Sequence, residues 1–299
     1  MEIERVPYSP IVTRPKLKLP GGKRIAVYVV PNIEFYEYLP PPSPLRDPWP
    51  RTPHPDVLNY GIRDYGNRVG LWRMFDVLDH FNVRGTVSLN VALLDHFPDI
   101  LEACERRKWD FLGHGLYNTR YFHGLAESEE REVINACVET FRNYTGRQLQ
   151  GWLSPAITFT SNTPDLVAEA GISYYCDWVH DDQPFPMRVR KGRLITMPYA
   201  MDTNDAVMWR TGHEGLEFAR ATKDQFDTLY REGEDSARFM CVPLHPYIMG
   251  QPHRIKYVED VLDHITRHEG VWMATGAEVA EWYYKNAYVS IAAHAGMEH

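Results

Sequence analysis

Carboxylates and imidazoles recur in one sequence context, immediately beyond a short apolar run. Glu34 follows Ile25–Val30, His114 follows Phe111–Gly113 with Asn118 four residues on, and His245 follows Met240–Leu244. Asp205 closes the run Asp202-Thr203-Asn204-Asp205 after Leu194–Met197. An imidazole titrates near neutrality and serves proton transfer or metal ligation, while a carboxylate serves as base or ligand. Each has a plainer reading alone: Glu34 as a solvated loop carboxylate, Asp205 as a helix cap, Asp181-Asp182 as a turn. Of the 13 histidines, His80, His96, His264 and His268 fall on helical stretches and read as solvated. His114 and His245 differ because both terminate expected inner strands.

The positioning elements follow from the apolar pattern. Strands are expected at Ile25–Val30, Gly85–Leu89, Phe111–Gly113, Gln150–Leu153, Leu194–Met197, Met240–Leu244 and Val271–Ala274. Between them lie amphipathic stretches at Val69–Phe81, Glu129–Tyr144 (with Ser128 as its cap), Asp224–Glu232, Lys256–His268 and Ala277–Lys285. Short strands separated by helices imply parallel pairing with the helices outside. The expected fold is α/β, a distorted barrel of about seven or eight β/α units. Reactive groups of such a barrel collect at the C-terminal ends of its strands, where Glu34, His114, Asn118, Asp205 and His245 all fall. One domain is expected over residues 1–299, with residues 1–60 as an N-terminal extension and Pro-rich loop and 61–299 as the barrel body. The segment from Leu39 to Pro55 is expected to be an ordered cover over the site, since proline restricts the unfolded chain.

Composition narrows the function. The chain has 299 residues, 44% hydrophobic and 13% aromatic, with a formal charge of −8. That is globular composition without the cationic surface that nucleic-acid phosphates require. No apolar run approaches a membrane span and the N-terminus carries early acidic residues, so a cytoplasmic location is expected. Cys104, Cys137, Cys176 and Cys241 are isolated and sit in or beside apolar runs, which suits buried thiols rather than a metal or disulfide framework.

Several ordered stretches resemble the polysaccharide deacetylase (NodB-homology) superfamily, most nearly its branch of metal-independent allantoinases and cyclic imide hydrolases. They are Asn32-Ile33-Glu34 with Glu37, Tyr65 to Gly70 leading to Trp72-Arg73, His114-Gly115, Gly151-Trp152, and Pro198-Tyr199 with Asp202 to Asp205. Phe226-Asp227 before Leu229 to Gly233, His245-Pro246 with Gly250, Pro252 and Arg254, and Val271-Trp272 complete the set. The resemblance implies the NodB-type barrel. It places Asn32 where the deacetylases have a base aspartate, Glu34 at the metal carboxylate, His114 at the first metal histidine and Asn118 at the second. His245 resembles the remaining motif histidine, and Leu153 stands where an arginine is expected.

An amide at position 118 is a weak zinc donor, and an amide at position 32 accepts no proton. The resemblance therefore implies a hydrolase of non-peptide C–N bonds in a small cytoplasmic amide, imide or ureide, with no metal favoured. Glu34 is expected as base or water orienter, its carboxyl raised toward neutrality by burial. His245 would protonate the departing nitrogen, His114 and Asn118 would donate to the oxyanion, and Asn32, Asn118, Trp152 and Asp205 would contact the substrate. The alternatives are a metal-dependent N-deacetylase holding zinc on Glu34, His114 and Asn118, and a catalytically silent small-molecule binder. A homo-oligomer is expected by likeness, with no nucleic-acid or membrane partner.

Overall fold

The computed structural model describes residues 5–41 and 54–297. Most of the expected cover, residues 42–53, lies outside the described residues. The strands are β1 (Ile25–Ile33), β2 (Thr86–Leu89), β3 (Asp110–Gly113), β4 (Gly151–Trp152), β5 (Tyr174–Tyr175), β6 (Phe185–Met187), β7 (Leu194–Thr196), β8 (Arg238–Leu244) and β9 (Val271–Met273). They form one curled sheet in the order β6-β7-β5-β4-β3-β2-β1-β8, with β9 also pairing β1. All pairings are parallel except β6 with β7. Parallel strands covered on both faces are apolar throughout, and every residue of β1 is buried.

Successive side chains of a strand point to opposite faces, and here they divide into two cores. Ile25, Val27, Val29 and Ile33 of β1 pack under the helical layer with Phe75, Phe141 and Phe226. Ala26, Tyr28 and Val30 face the inside of the curl with Leu112, Leu153, Ile195, Met197, Phe239 and Cys241. The helices Gly276–Asn286 and Tyr288–His294 add Tyr283, Tyr288 and Ile291 to this inner core. All four cysteines are buried free thiols.

The sheet does not close by a ladder between β6 and β8. The Phe239 amide donates to the Asp182 carbonyl at 3.0 Å and the Gln183 side chain to the Ala237 carbonyl at 2.9 Å. The N-terminal segment lies along the same seam: Ala237 donates to the Leu17 carbonyl at 3.0 Å, and Arg14 pairs with Asp181 at 2.6 Å.

Several expectations are corrected. The barrel body begins at Ile25 rather than after residue 60, since β1 is a central strand. β1 runs past Val30 because its ladder with β8 ends at the donor-less Pro31, while its ladder with β2 carries Asn32 and Ile33. β5 and β6 were not expected, being two and three residues long, β6 with a proline at its centre. The helix expected from Glu129 begins at Glu127, and the Glu129 carboxylate, not Ser128, satisfies its first turn by accepting from the Ala126 amide at 2.8 Å.

Between helices Val57–Tyr65 and Leu71–His80 the chain makes a π-helical turn at Gly66–Gly70, a device that widens a helix locally and often serves a site. It packs on the short helix Pro246–Met249 that follows His245. A Cβ on Gly70 would stand 2.1 Å from the Pro246 carbonyl oxygen. Gly70→Ala should therefore push the His245 segment aside, costing about 1–3 kcal/mol as overpacking does. Denaturant unfolding should report the loss, and an unchanged midpoint would refute this account of the contact.

Candidate active site

Inner-face alternation carries past the ends of the strands. Ala26, Tyr28 and Val30 lead in steps of two to Asn32 and Glu34; Leu112 leads to His114; Phe239 and Cys241 lead to His245; Met197 leads to Tyr199. Asn32, Glu34, His114, Tyr199 and His245, with Leu153, Tyr36, Asn118, Arg210 and Tyr247 among their companions, line a cavity of about 80 Å³. The strand ends and the turns beyond them thus bring Glu34, His114, Asn118, Asn32 and His245 to one cavity, whose lining does not include the Asp205 expected with them.

Glu34 is at its centre. Its Oε1 lies 3.5 Å from His114 Nε2 and 3.5 Å from His245 Nε2. Its Oε2 accepts from the Tyr36 hydroxyl at 2.9 Å, and the Tyr36 oxygen accepts from Asn118 Nδ2 at 2.5 Å. Burial alone would raise the Glu34 carboxyl, but the facing charge of His245 outweighs it and holds the group below the usual carboxylate range. The expected rise toward neutrality is thereby corrected, because the charged His245 faces the carboxylate. A strongly ionised group orients water better than it takes a proton.

His245 is shifted the other way. Burial lowers it, yet the charges of Asp205 and Glu34 raise it to about 9. Its Nδ1 donates to Asp205 Oδ1 at 2.6 Å, and its backbone amide donates to Asp205 Oδ2 at 2.7 Å. Asp205 opens the helix Asp205–Arg210, which Asn204 caps by accepting from the Ala206 amide at 2.9 Å. Asp205 is therefore a positioning residue for His245 and is not among the cavity's lining residues, which corrects the substrate contact expected of it.

His114 Nδ1 lies 2.7 Å from the Leu153 carbonyl oxygen. A carbonyl only accepts, so Nδ1 bears a proton, and in the uncharged tautomer it is Nε2, on the side of Glu34, that carries the lone pair. The expected donation from His114 to an oxyanion does not suit that tautomer. One N–H of Asn118 is likewise engaged, on Tyr36.

Trp152 is corrected as a substrate contact. It belongs to the outer core, its indole N–H donating to Ser154 Oγ at 3.1 Å, whereas its neighbour Leu153 faces inward. Asn32 lines the cavity floor, its amide within 3.3 Å of the Tyr199 hydroxyl and the Val30 carbonyl. Asp181 and Asp182 lie at the seam beside the start of β8, the end remote from His245.

Sequence reasoning missed Tyr199, Tyr247 and Arg210 in the lining, and left Tyr36 open between a pocket wall and an interface. Tyr36 and Tyr199 were accessible in principle, because each continues an inner-face alternation. Arg63 carries no such signal; it is buried with its guanidinium 4.5 Å over the Tyr36 ring and 5.1 Å over the Tyr247 ring.

A metal at this site would draw on Glu34 and His114, whose Nδ1 hydrogen bond has the form common to metal-bound imidazoles. A third ligand would have to be the Asn118 amide or His245 Nε2, an imidazole that Asp205 and Glu34 keep protonated up to about pH 9. Among the described residues, three donors from His, Cys, Asp or Glu converge within 4.8 Å of one another only at Asp227, His264 and His268. The donor set here does not fit the three-ligand zinc centre.

Comparison with known proteins gives the same architecture. A family profile described as polysaccharide deacetylase matches residues 62–175. A putative polysaccharide deacetylase of Schizosaccharomyces pombe is 26% identical over 264 residues, covering 81% of this chain and 81% of that protein. The crystal structure of a probable polysaccharide deacetylase from Pseudomonas aeruginosa superposes with a TM-score of 0.81 at 25% identity, covering 91% of this chain and 95% of the other. That of Puue allantoinase superposes with a TM-score of 0.80 at 25% identity, covering 92% and 96%.

An acid role for His245 is testable through its proton. A group raised to about 9 keeps its proton below that pH, so kcat/KM should fall as pH rises through about 9. Asp205→Asn removes the charge that raises His245 and should move this alkaline limb to lower pH, with a rate cost of about 10² to 10⁴-fold. A limb unmoved by the substitution would remove His245 from the acid role.

Proposed function

We propose that the protein is a member of the polysaccharide deacetylase family and that within it the protein hydrolyses a C–N bond of a small amide, imide or ureide by direct attack of water, without a metal. Family membership makes it a carbon–nitrogen hydrolase. The observation that carries the finer reading is the charge arrangement: an ionised Glu34 and a protonated His245 held by Asp205, beside two uncharged amides at Asn32 and Asn118. Likeness to an allantoinase at a TM-score of 0.80 supports the substrate class, and a cavity of about 80 Å³ suits the reacting part of a small molecule.

In this mechanism Glu34 Oε1 orients the attacking water and the Nε2 lone pair of His114 takes its proton as the oxygen adds to the carbonyl carbon. The remaining N–H of Asn118 supports the oxyanion. His245 then delivers its Nε2 proton to the nitrogen as the C–N bond breaks. Binding without chemistry would need neither the ion pair nor the oriented imidazole.

The experiment is a substrate panel of hydantoins, imides, ureides and N-acetylated sugars assayed with and without chelator. Turnover of a ureide or imide that survives chelation is expected. Acetate release dependent on zinc would instead establish the metal-dependent N-deacetylase. Glu34→Gln should retain binding and lose about 10² to 10⁴-fold in rate, and added zinc should not restore it. Partial recovery with zinc would make Glu34 a ligand, and undiminished turnover would remove it from both mechanisms.

A further inference from the structure

We propose that Asp227, His264 and His268 form a second, surface site for a divalent transition-metal ion, away from the cavity that holds Glu34. Asp227 lies on the helix Gly215–Glu232, and His264 lies on the adjacent helix Ile255–Thr266, with His268 just past its end. Residues four apart on a helical path share a face, and one ligand atom from each of the three side chains lies within 4.8 Å of the others.

The imidazoles are oriented as ligands. His268 Nδ1 donates to the His264 carbonyl at 2.8 Å, which leaves the Nε2 lone pair of His268 as its free donor atom. A metal-bound histidine typically ties its second nitrogen to a carbonyl or carboxylate in this way. His264 Nε2 meets Asp227 Oδ1 at 2.7 Å, a proton-bridged contact whose proton a cation would displace. Phe226 packs edge-on against both rings, at centroid distances of 5.6 and 5.0 Å, and Tyr230 against His268 at 5.1 Å. Little rotamer freedom is left to lose when an ion binds.

The electrostatics favour a cation. The cluster stands at the C-terminal end of the helix Ile255–Thr266, the negative end of its dipole. Two neighbouring cations are engaged elsewhere, Lys223 with Asp260 and Arg267 with Asp263, each at 2.6 Å. Two imidazoles and one carboxylate suit zinc, nickel or copper rather than magnesium or calcium, which take oxygen ligands. The bound ion would cross-link two helices, of which Gly215–Glu232 packs directly on β8. The role inferred is a clamp, not catalysis.

The test titrates chelator-stripped protein with zinc chloride alone by calorimetry and thermal melting. Wild type should bind one more equivalent than the His264→Ala/His268→Ala double variant, and only wild type should gain melting temperature from that equivalent. His268→Ala alone should weaken the site by at least about tenfold and leave zinc-free turnover unchanged. His114→Ala should keep the equivalent, which separates this site from the cavity. Should the double variant fail to fold, Asp227→Asn, at an exposed position, decides by the same loss of affinity. Wild type taking up no zinc, or variants binding it as wild type does, would overturn the proposal.

Discussion

The period of two along a β-strand is the constraint on which the site depends. In an open parallel barrel every strand sends alternate residues inward, and strands of equal direction end at the same rim. Glu34, His114, Leu153, Tyr199 and His245 share a cavity because each has inner-face parity on its own strand or one step beyond it. Shifting any of these strands by one residue would exchange a site residue for a core residue. Trp152 and Leu153 show the result directly: adjacent in sequence, they lie in different cores.

Parity places the groups, and backbone hydrogen bonds fix them. Asn67 donates to the Glu34 carbonyl at 2.8 Å, and Asn90 accepts from the Phe35 amide at 2.9 Å while donating to the His114 carbonyl. Arg73 reaches the Gly250 carbonyl beyond His245. Glu34, His114 and His245 are thus anchored through their own main chains or those of close neighbours by polar side chains on other elements. This accounts for the stretch from Tyr65 to Arg73, which holds no reactive group yet meets both the Glu34 and the His245 segments.

The sequence made the location of the site legible but not its electrostatics. A carboxylate or histidine ending an apolar run can be read from spacing alone, and Glu34, His114 and His245 follow from it, while Asn118 comes from the resemblance. The protonation states cannot, because they are set by partners distant in the chain: Asp205 is 40 residues from His245, and His114 and His245 reach Glu34 from β3 and β8. Burial and neighbouring charge pull Glu34 in opposite directions, and only the distances decide between them. The same gap explains β5 and β6, whose two and three residues are too short for a periodic signal. The lone-pair face of His114 was equally hidden, since the acceptor that fixes it is a backbone carbonyl 39 residues away.

Charge balance gives the last step. Glu34 and Asp205 set two buried carboxylates beside the protonated His245 and the Arg210 that lines the cavity, where an oxyanion would add further negative charge. Burying such charge is costly unless it is compensated. Arg63 supplies a compensating cation from behind: its guanidinium lies over the faces of Tyr36 and Tyr247, both of which line the cavity. Its charge opposes the rise that burial imposes on both phenols. It also keeps the Tyr36 ring in place while the hydroxyl donates to Glu34. The helix Val57–Tyr65 that carries Arg63 contributes no residue to the cavity lining, yet it sets a guanidinium behind two of the rings that form it.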